Sequence, residues 1–321
     1  MIERIIILGA AGFIGTNLVK KLVSFENVKI TVVDKREDYF KEIRQLDPGI
    51  IDYVVDSLEF VNNYDEIVKG QDTVYHLVST SIPTTSNQNI ADELLANVVF
   101  SSKLLDACVR QNVKKVVFIS SGGTVYGKEI TCPISEDTET NPISSYGVQK
   151  ITIEKLLYLY NYLYGLDYRI VRLANPYGPH QRPNGMLGAV TTFIYKTLQG
   201  EKITVYGDGS IIRDYIYIDN AIDGILNISN GTSEQKVFNL GTGKGTSIQE
   251  LLNLIESVLG KAMKIEYTPK RNADVPINYL DMSRYERSFG KLQVISLEEG
   301  IKETAEYLSK QFCRSLTRGK K

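Results

Sequence analysis

The sequence predicts an α/β fold, a doubly wound parallel sheet followed by a smaller C-terminal α/β lobe, and three observations carry that prediction. Short apolar runs alternate with helical patterns through the first half of the chain. A glycine-rich turn joins the first run to the first helix. After about residue 175 the texture changes to Gly- and Pro-rich loops between shorter elements.

The predicted strands are residues 4–8, 29–33, 51–55, 73–77, 115–120 and 168–173. Between the first two, residues 13–25 read as a helix, with Ile14, Leu18, Leu22 and Phe25 at helical spacing. Residues 90–111 and 144–164 are longer helical stretches. Parallel strands joined by helices require right-handed crossovers, which gives a Rossmann-type sheet over residues 1–175. Residues 176–321 are expected to form mainly a second, smaller lobe, with helices at 188–198, 220–229 and 247–259 and some segments returning to the first.

Composition narrows the function. With 43% apolar and 23% charged residues, the 321-residue chain has material for a large core. Lys+Arg 37 against Asp+Glu 38 leaves a net charge of −1, so no global field recruits nucleic acid or an anionic membrane. The basic end from Arg314 to Lys321 reads as a frayed tail. The N-terminus enters a strand-like run at once, without a signal-peptide layout, and no segment has the apolar length of a bilayer span. Cys108, Cys132 and Cys313 are odd in number and lack metal-ligand spacing, as expected of free thiols in a reducing cytoplasm. Two histidines, His76 and His180, exclude a histidine-rich metal site. His76 is expected to pack at a strand end and His180 to sit in a loop.

Gly9-Ala10-Ala11-Gly12-Phe13-Ile14-Gly15 directly follows the first strand and opens the first helix. A turn this tight needs residues without Cβ, so that backbone approaches a pyrophosphate at the helix N-terminus. Asp34 closes the second strand, at roughly the 20-residue distance where a carboxylate accepts hydrogen bonds from a ribose diol. A carboxylate there repels a 2′-phosphate and favours NAD over NADP, although Lys35 and Arg36 follow at once and suit a 2′-phosphate. Asp56 has two readings, a contact to the adenine edge or the N-cap of a helix starting at Ser57.

Tyr146 and Lys150 form a second constellation. Four residues apart on a helix, they share one face. A phenol is a poor base at neutral pH, and a neighbouring ammonium is expected to favour its phenolate. The fifth strand runs out through Ser120-Ser121-Gly122-Gly123-Thr124-Val125-Tyr126-Gly127, which delivers hydroxyls to the carboxyl edge of the sheet, where doubly wound folds bind ligands. Thr124 is the hydroxyl expected to orient a reacting oxygen beside Tyr146.

These elements together resemble the extended short-chain dehydrogenases, and within them the nucleotide-sugar epimerase/dehydratase group. The resemblance extends along nearly the whole chain: Tyr75-His76-Leu77-Val78-Ser79, Arg172-Leu173-Ala174-Asn175-Pro176-Tyr177-Gly178-Pro179, Gly207-Asp208-Gly209-Ser210, Arg213-Asp214-Tyr215-Ile216-Tyr217-Ile218-Asp219, and Arg271 with Asp274. It implies that Thr124, Tyr146 and Lys150 are catalytic. It implies an NAD site of Gly9, Gly12, Phe13, Ile14, Gly15, Asp34, Asp56, Leu77, Ser79, Tyr146 and Lys150. Asn175, Arg213 and Arg271 would grip a nucleoside diphosphate, with Asp274 on its ribose. Two converging guanidinium groups suit a diphosphate, whose oxygens they match bidentately.

The group contains 4-epimerases, 4,6-dehydratases, 4-decarboxylases and 4-ketoreductases. Its dehydratases carry an acidic pair, and its decarboxylases a Glu, where this chain has Gly122, Gly123 and Thr124. The resemblance therefore implies a UDP-hexose 4-epimerase, with a 4-ketoreductase of a deoxysugar nucleotide or a non-catalytic sugar-nucleotide-binding protein as alternatives. The uridine base is a family expectation. The resemblance also implies that Asn278, four residues after Asp274, falls near the hexose C2 substituent, where epimerases confined to plain hexoses tend to carry Tyr. A shorter residue implies that UDP-GlcNAc/UDP-GalNAc are accepted along with UDP-Glc/UDP-Gal. The group commonly forms homodimers through the helices at 90–111 and 144–164, the second of which carries Tyr158, Tyr160, Tyr162 and Tyr164.

Overall fold

A computed structural model of the chain describes residues 2–57, 63–81, 86–128, 131–183, 188–270 and 275–318, with side chains through Gln311. The side chains of Cys313 and of the basic end therefore lie outside the described set.

The six predicted strands appear as β1 (Glu3–Leu8), β2 (Val28–Asp34), β3 (Ile51–Val55), β4 (Thr73–His76), β5 (Lys115–Ser121) and β6 (Asp167–Leu173). All pair in parallel, and a seventh strand, β11 (Val237–Leu240), adds beside β6 to give the order β11-β6-β5-β4-β1-β2-β3. Strand order reverses at β1, which has β2 on one side and β4 on the other. Crevices at such points receive ligands in this architecture.

The strands read as near-continuous apolar runs because both faces are covered: Ile6, Ile7, Leu8, Val32, Val33, Val116, Val117 and Phe118 are fully buried. One face is covered by α1 (Phe13–Leu22) and α8 (Ile218–Asn230), which pack on each other. The other carries α5 (Phe100–Arg110), against α3 (Tyr64–Val68) and α6 (Ser145–Tyr164). The predicted helix at 90–111 is not uniform: α4 (Ile90–Leu94) leads into a π-helical stretch, Leu95–Val99, before α5. The short α2 (Lys41–Arg44) lies beside α1.

The later segments supply α7 (Ala189–Gln199), α9 (Ile248–Leu259), α10 (Ser283–Phe289), α11 (Leu297–Arg318) and short ladders. β7 (Asn175–Tyr177) pairs β10 (Tyr215–Tyr217), and β8 (Lys202–Tyr206) pairs β13 (Lys264–Thr268). β9 (Ile212–Arg213) lies between β12 (Thr246–Ser247) and β14 (Ile277–Asn278). Ser247 starts α9 with a full capping box to Glu250, and Gly260 ends it in the left-handed region. Among the described residues no helix is long and apolar enough to cross a membrane.

Candidate active site

The glycine turn is built by its neighbours. Gly9 adopts φ +80°, and its amide and that of Ala10 both donate to the Val33 carbonyl at 2.9 and 3.2 Å. A Cβ on Gly15 would stand 2.5 Å from the carbonyl oxygens of Gly9 and Ala10, so only glycine lets α1 start this close to the turn. Gly12 caps α1 without a side-chain bond, and no acidic residue lies in the first turn. The exposed amide end, with Phe13 and Ile14 in that turn, suits a pyrophosphate.

Asp34 is tied into the same turn. Ala11 N donates to Asp34 Oδ2 at 2.9 Å, and Lys35 N to Oδ1 at 2.9 Å. Two bonds leave acceptor capacity on a carboxylate for a ribose diol. Arg36 is turned to Asp38, with bonds of 2.8 and 2.9 Å, and stacks on Tyr39. Such pairing competes with service to a 2′-phosphate and favours the unphosphorylated ribose. Asp56 N bonds the Asp34 carbonyl at 3.0 Å, which sets Asp56 beside Asp34 at the sheet edge. Leu77 and Val78 pass within 3.3 Å of the Cβ that Gly9 lacks, and Ser79 Oγ bonds the Ser81 carbonyl at 3.0 Å. The cradle and its carboxylate fit a dinucleotide.

At the exit of β5, Ser144 caps α6 by accepting from Gly147 N at 3.2 Å. Lys150, 5% exposed, donates to the Ile119 carbonyl at 2.9 Å, with Nζ 4.7 Å from the Phe118 ring centroid and 5.4 Å from that of Tyr146. Burial lowers its pKa to about 8, against the opposing charge of Glu154. The expectation that the ammonium depresses the Tyr146 pKa is not met. Burial pushes the phenol up to about 12, while the ammonium is engaged by a carbonyl and lies over ring faces. Thr124 Oγ1 is buried and has no protein partner.

The substrate-side residues divide. Asn278 is 2% exposed; its Nδ2 donates to the Gly122 carbonyl at 3.2 Å, while Oδ1 has no partner. This bond joins Asn278 to the Gly122–Thr124 turn, and β14 sets Asn278 opposite Arg213 on β9. Asn175 is held by its Nδ2 on the Asp214 carbonyl at 2.9 Å. Arg271 and Asp274 lie outside the described residues.

Sequence reasoning assigned no role to Asp214, which organises this side. Its buried carboxyl accepts from Thr242 N, Thr242 Oγ1, Gly243 N and Leu280 N, at 2.7–3.4 Å. Burial raises its pKa and these donors oppose the rise. His76 packs between Phe100 and Phe118 with Nε2 2.8 Å from Ser101 Oγ, and burial lowers its pKa to about 3. His180 adopts φ +68° in the loop after β7 and lies 3.2 Å from the Tyr307 hydroxyl and 3.4 Å from Glu42.

Known proteins match the chain over most of its length. The family model described as "NAD dependent epimerase/dehydratase family" matches residues 5–241. A putative UDP-glucose 4-epimerase of Methanocaldococcus jannaschii is 33% identical over 95% of this chain and 98% of its own length. The UDP-glucose 4-epimerase of Thermotoga maritima, solved with UDP-glucose, superposes with a TM-score of 0.89 at 32% identity, covering 96% of this chain and 99% of that one. A UDP-N-acetylglucosamine 4-epimerase of Methanobrevibacter ruminantium, solved with UDP-N-acetylmuramic acid, also gives 0.89, at 28% identity over 97% and 100% of the two chains.

Proposed function

The chain belongs to the NAD-dependent epimerase/dehydratase family, and we propose that within it this protein interconverts UDP-hexoses at C4, taking both plain and N-acetylated sugars. The observation that carries the reading is the Tyr146/Lys150 pair on the first turns of α6, whose Gly147 packs against the Thr124 carbonyl, with the Thr124 hydroxyl buried and unpartnered. By resemblance, Gly123 and Thr124 stand where the dehydratases carry their acidic pair, and Thr124 where the decarboxylases carry Glu.

NAD supplies the hydride acceptor and donor, and a positive charge, when bound. Gly9, Gly12, Gly15, Phe13 and Ile14 would hold its pyrophosphate, Asp34 a ribose, and Asp56, Leu77 and Ser79 the crevice walls. Tyr146 removes the proton from the sugar O4 and later returns it, while Thr124 orients that oxygen. Lys150 keeps a positive charge beside the phenol, which favours its ionised form as the proton leaves. Asn175, Arg213 and Arg271, with Asp274 on the nucleoside ribose, would retain the diphosphate while the 4-keto sugar turns its other face. Binding energy is thus placed away from the reacting carbon. Asn278 offers a buried, unpartnered Oδ1 and a short side chain toward the C2 substituent. A homodimer through the outer faces of α4–α6 is part of the proposal, as is action in the cytoplasm.

The test is incubation of purified protein with UDP-Glc and UDP-GlcNAc, without added cofactor, followed by NMR of the sugars. Appearance of both C4 epimers supports the reading, and Tyr146→Phe should lower the rate about 10²–10⁴-fold. No conversion with retained NAD would redirect the search to another nucleotide or sugar. No conversion and no retained cofactor would favour a 4-ketoreductase.

A further inference from the structure

Behind the Tyr146/Lys150 pair lies a buried ion pair to which the reaction above assigns no role. Glu154 on α6 and Arg172 on β6 are 5% and 7% exposed. Arg172 Nη2 donates to Glu154 Oε2 at 2.7 Å, and Nε lies 3.2 Å from both carboxylate oxygens. Ser120 Oγ donates to Glu154 Oε1 at 2.5 Å. Arg172 Nη1 is taken by the Tyr126 hydroxyl at 3.1 Å and the Glu136 carbonyl at 3.2 Å. Ser120 and Arg172 are register partners across β5 and β6, so one carboxylate grips two adjacent strands at the same level.

Tyr146, Lys150 and Glu154 follow at four-residue spacing along one stripe of α6. Lys150 bonds the carbonyl of Ile119, and Glu154 bonds the hydroxyl of Ser120, the next residue of β5. Two successive turns of the helix are thereby fixed to two successive residues of the strand that leads into Thr124.

We propose that Glu154, held by Arg172 and Ser120, is a positioning residue for the Tyr146/Lys150 pair: it sets the level of α6 against β5 and supplies a buried negative charge one turn from the Lys150 ammonium. The inference rests on the role given to Lys150 above. Cohesion alone is a poor reason for such a pair, because desolvation largely cancels its attraction and well-packed apolar residues often hold a fold as firmly. The charge has a specific use here. From β4, Lys150 meets His76, which burial keeps neutral, and from β5 the apolar ring of Phe118. On its own helix it meets the Tyr146 phenol and Glu154, with Arg172, Tyr126 and Glu136 beyond. Burial favours the neutral amine, and the Glu154 carboxylate opposes it.

The test uses the full chain in four variants, Glu154→Gln, Glu154→Asp, the double variant E154Q/R172M, and Lys150→Met. Proteins labelled at lysine ¹³Cε are titrated by NMR, with the Lys150 signal identified by its loss in Lys150→Met. The alkaline limb of kcat for the substrate converted is recorded in parallel. Lys150 should titrate near pH 8 in the parent, about one pH unit lower in Glu154→Gln, and lower by a smaller amount in E154Q/R172M, which removes the Arg172 cation as well. The kcat limb should move with it, and Glu154→Asp should restore much of the shift. E154Q/R172M leaves no buried Arg without its anion, so it serves where Glu154→Gln alone does not fold. Parental Lys150 titration and kcat limb in folded Glu154→Gln, or, where that variant does not fold, parental titration together with parental kcat in E154Q/R172M, would overturn the proposal. Retained activity in Tyr146→Phe would instead overturn the reaction assigned above, and the NMR arm would still report on Glu154.

Discussion

Gly147 packs so closely on Thr124 that a Cβ at Gly147 would stand 2.7 Å from the Thr124 carbonyl oxygen, and equally close to Pro142. This approach brings the first turn of α6, with Tyr146, to the end of β5. Gly147→Ala must move α6, the turn or both. Overpacking of this kind costs about 1–3 kcal/mol, and kcat should fall at least about tenfold because Thr124 and Tyr146 separate. Gly123 is the control: its nearest neighbour to an added Cβ is Ser121 Oγ at 3.9 Å, so Gly123→Ala should change stability by less than about 0.5 kcal/mol. Thermal midpoints and kcat of the two variants check the contrast, and equal effects would remove the role given to Gly147.

Lys150 should cost the fold what it contributes to chemistry. Its native pKa, about 8, lies below the ordinary 10.5. Between those values the unfolded chain binds a proton that the native chain does not, so stability rises with pH across that window. Below pH 8 both states are protonated and the penalty is fully present, about 3 kcal/mol from the shift. Lys150→Met removes this penalty and loses one hydrogen bond worth about 1 kcal/mol. The variant should therefore unfold a few degrees higher than the parent at pH 7, with the advantage fading toward pH 10.5, and should lack activity. Calorimetry across that range checks the sign, and a variant less stable at pH 7 would contradict it.

Much of this arrangement is legible in the sequence, because it is local. The six strands, the glycine turn and the Tyr146/Lys150 face follow from period, spacing and the steric needs of a tight turn. Elements that depend on distant partners are not. Val237–Leu240 is a short run whose place beside β6 is decided by a partner more than sixty residues away. The helix Leu297–Arg318 lies outside the predicted elements, although Ile301, Ala305 and Leu308, all buried, carry its spacing. The π-helical stretch at Leu95–Val99 leaves the apolar pattern looking helical throughout. Asp214, Glu154 and Arg172 receive no role from the sequence, since only the tertiary arrangement shows that they are buried and satisfied. The Tyr146 phenol departs from expectation for the same reason: sequence supplies the neighbouring lysine but not the burial that pushes the phenol up.

The exposed apolar stripe on α6 bears on assembly. Tyr158, Leu159, Tyr162 and Leu163 are 60%, 43%, 77% and 53% exposed, and Leu95 and Val99 on the adjacent helix are 61% and 40%. Six large apolar side chains left open on two packed helices suit a self-complementary contact about a two-fold axis. The chain is expected to sediment as a dimer, and Leu159→Glu with Tyr162→Glu should yield folded monomers. A parent that sediments as a monomer at micromolar concentration would remove this interface.

Asn278 offers the sharpest test of substrate choice. Its amide nitrogen is spent on the Gly122 carbonyl, which fixes the side chain and leaves Oδ1 buried without a partner beside the turn that carries Thr124. An acetamido N–H or a hydroxyl at C2 would satisfy that oxygen, and a burial of this kind without any partner costs about 1–3 kcal/mol. Asn278→Tyr fills the space and should suppress turnover of UDP-GlcNAc and UDP-GalNAc at least about tenfold more than that of UDP-Glc and UDP-Gal. Asn278→Ser keeps the space and should retain both pairs. The ratio of kcat/KM between the two pairs is the quantity to measure in parent and variants. If Asn278→Tyr lowers both pairs equally, Asn278 does not face the C2 substituent, and sugar selection must come from elsewhere in the pocket.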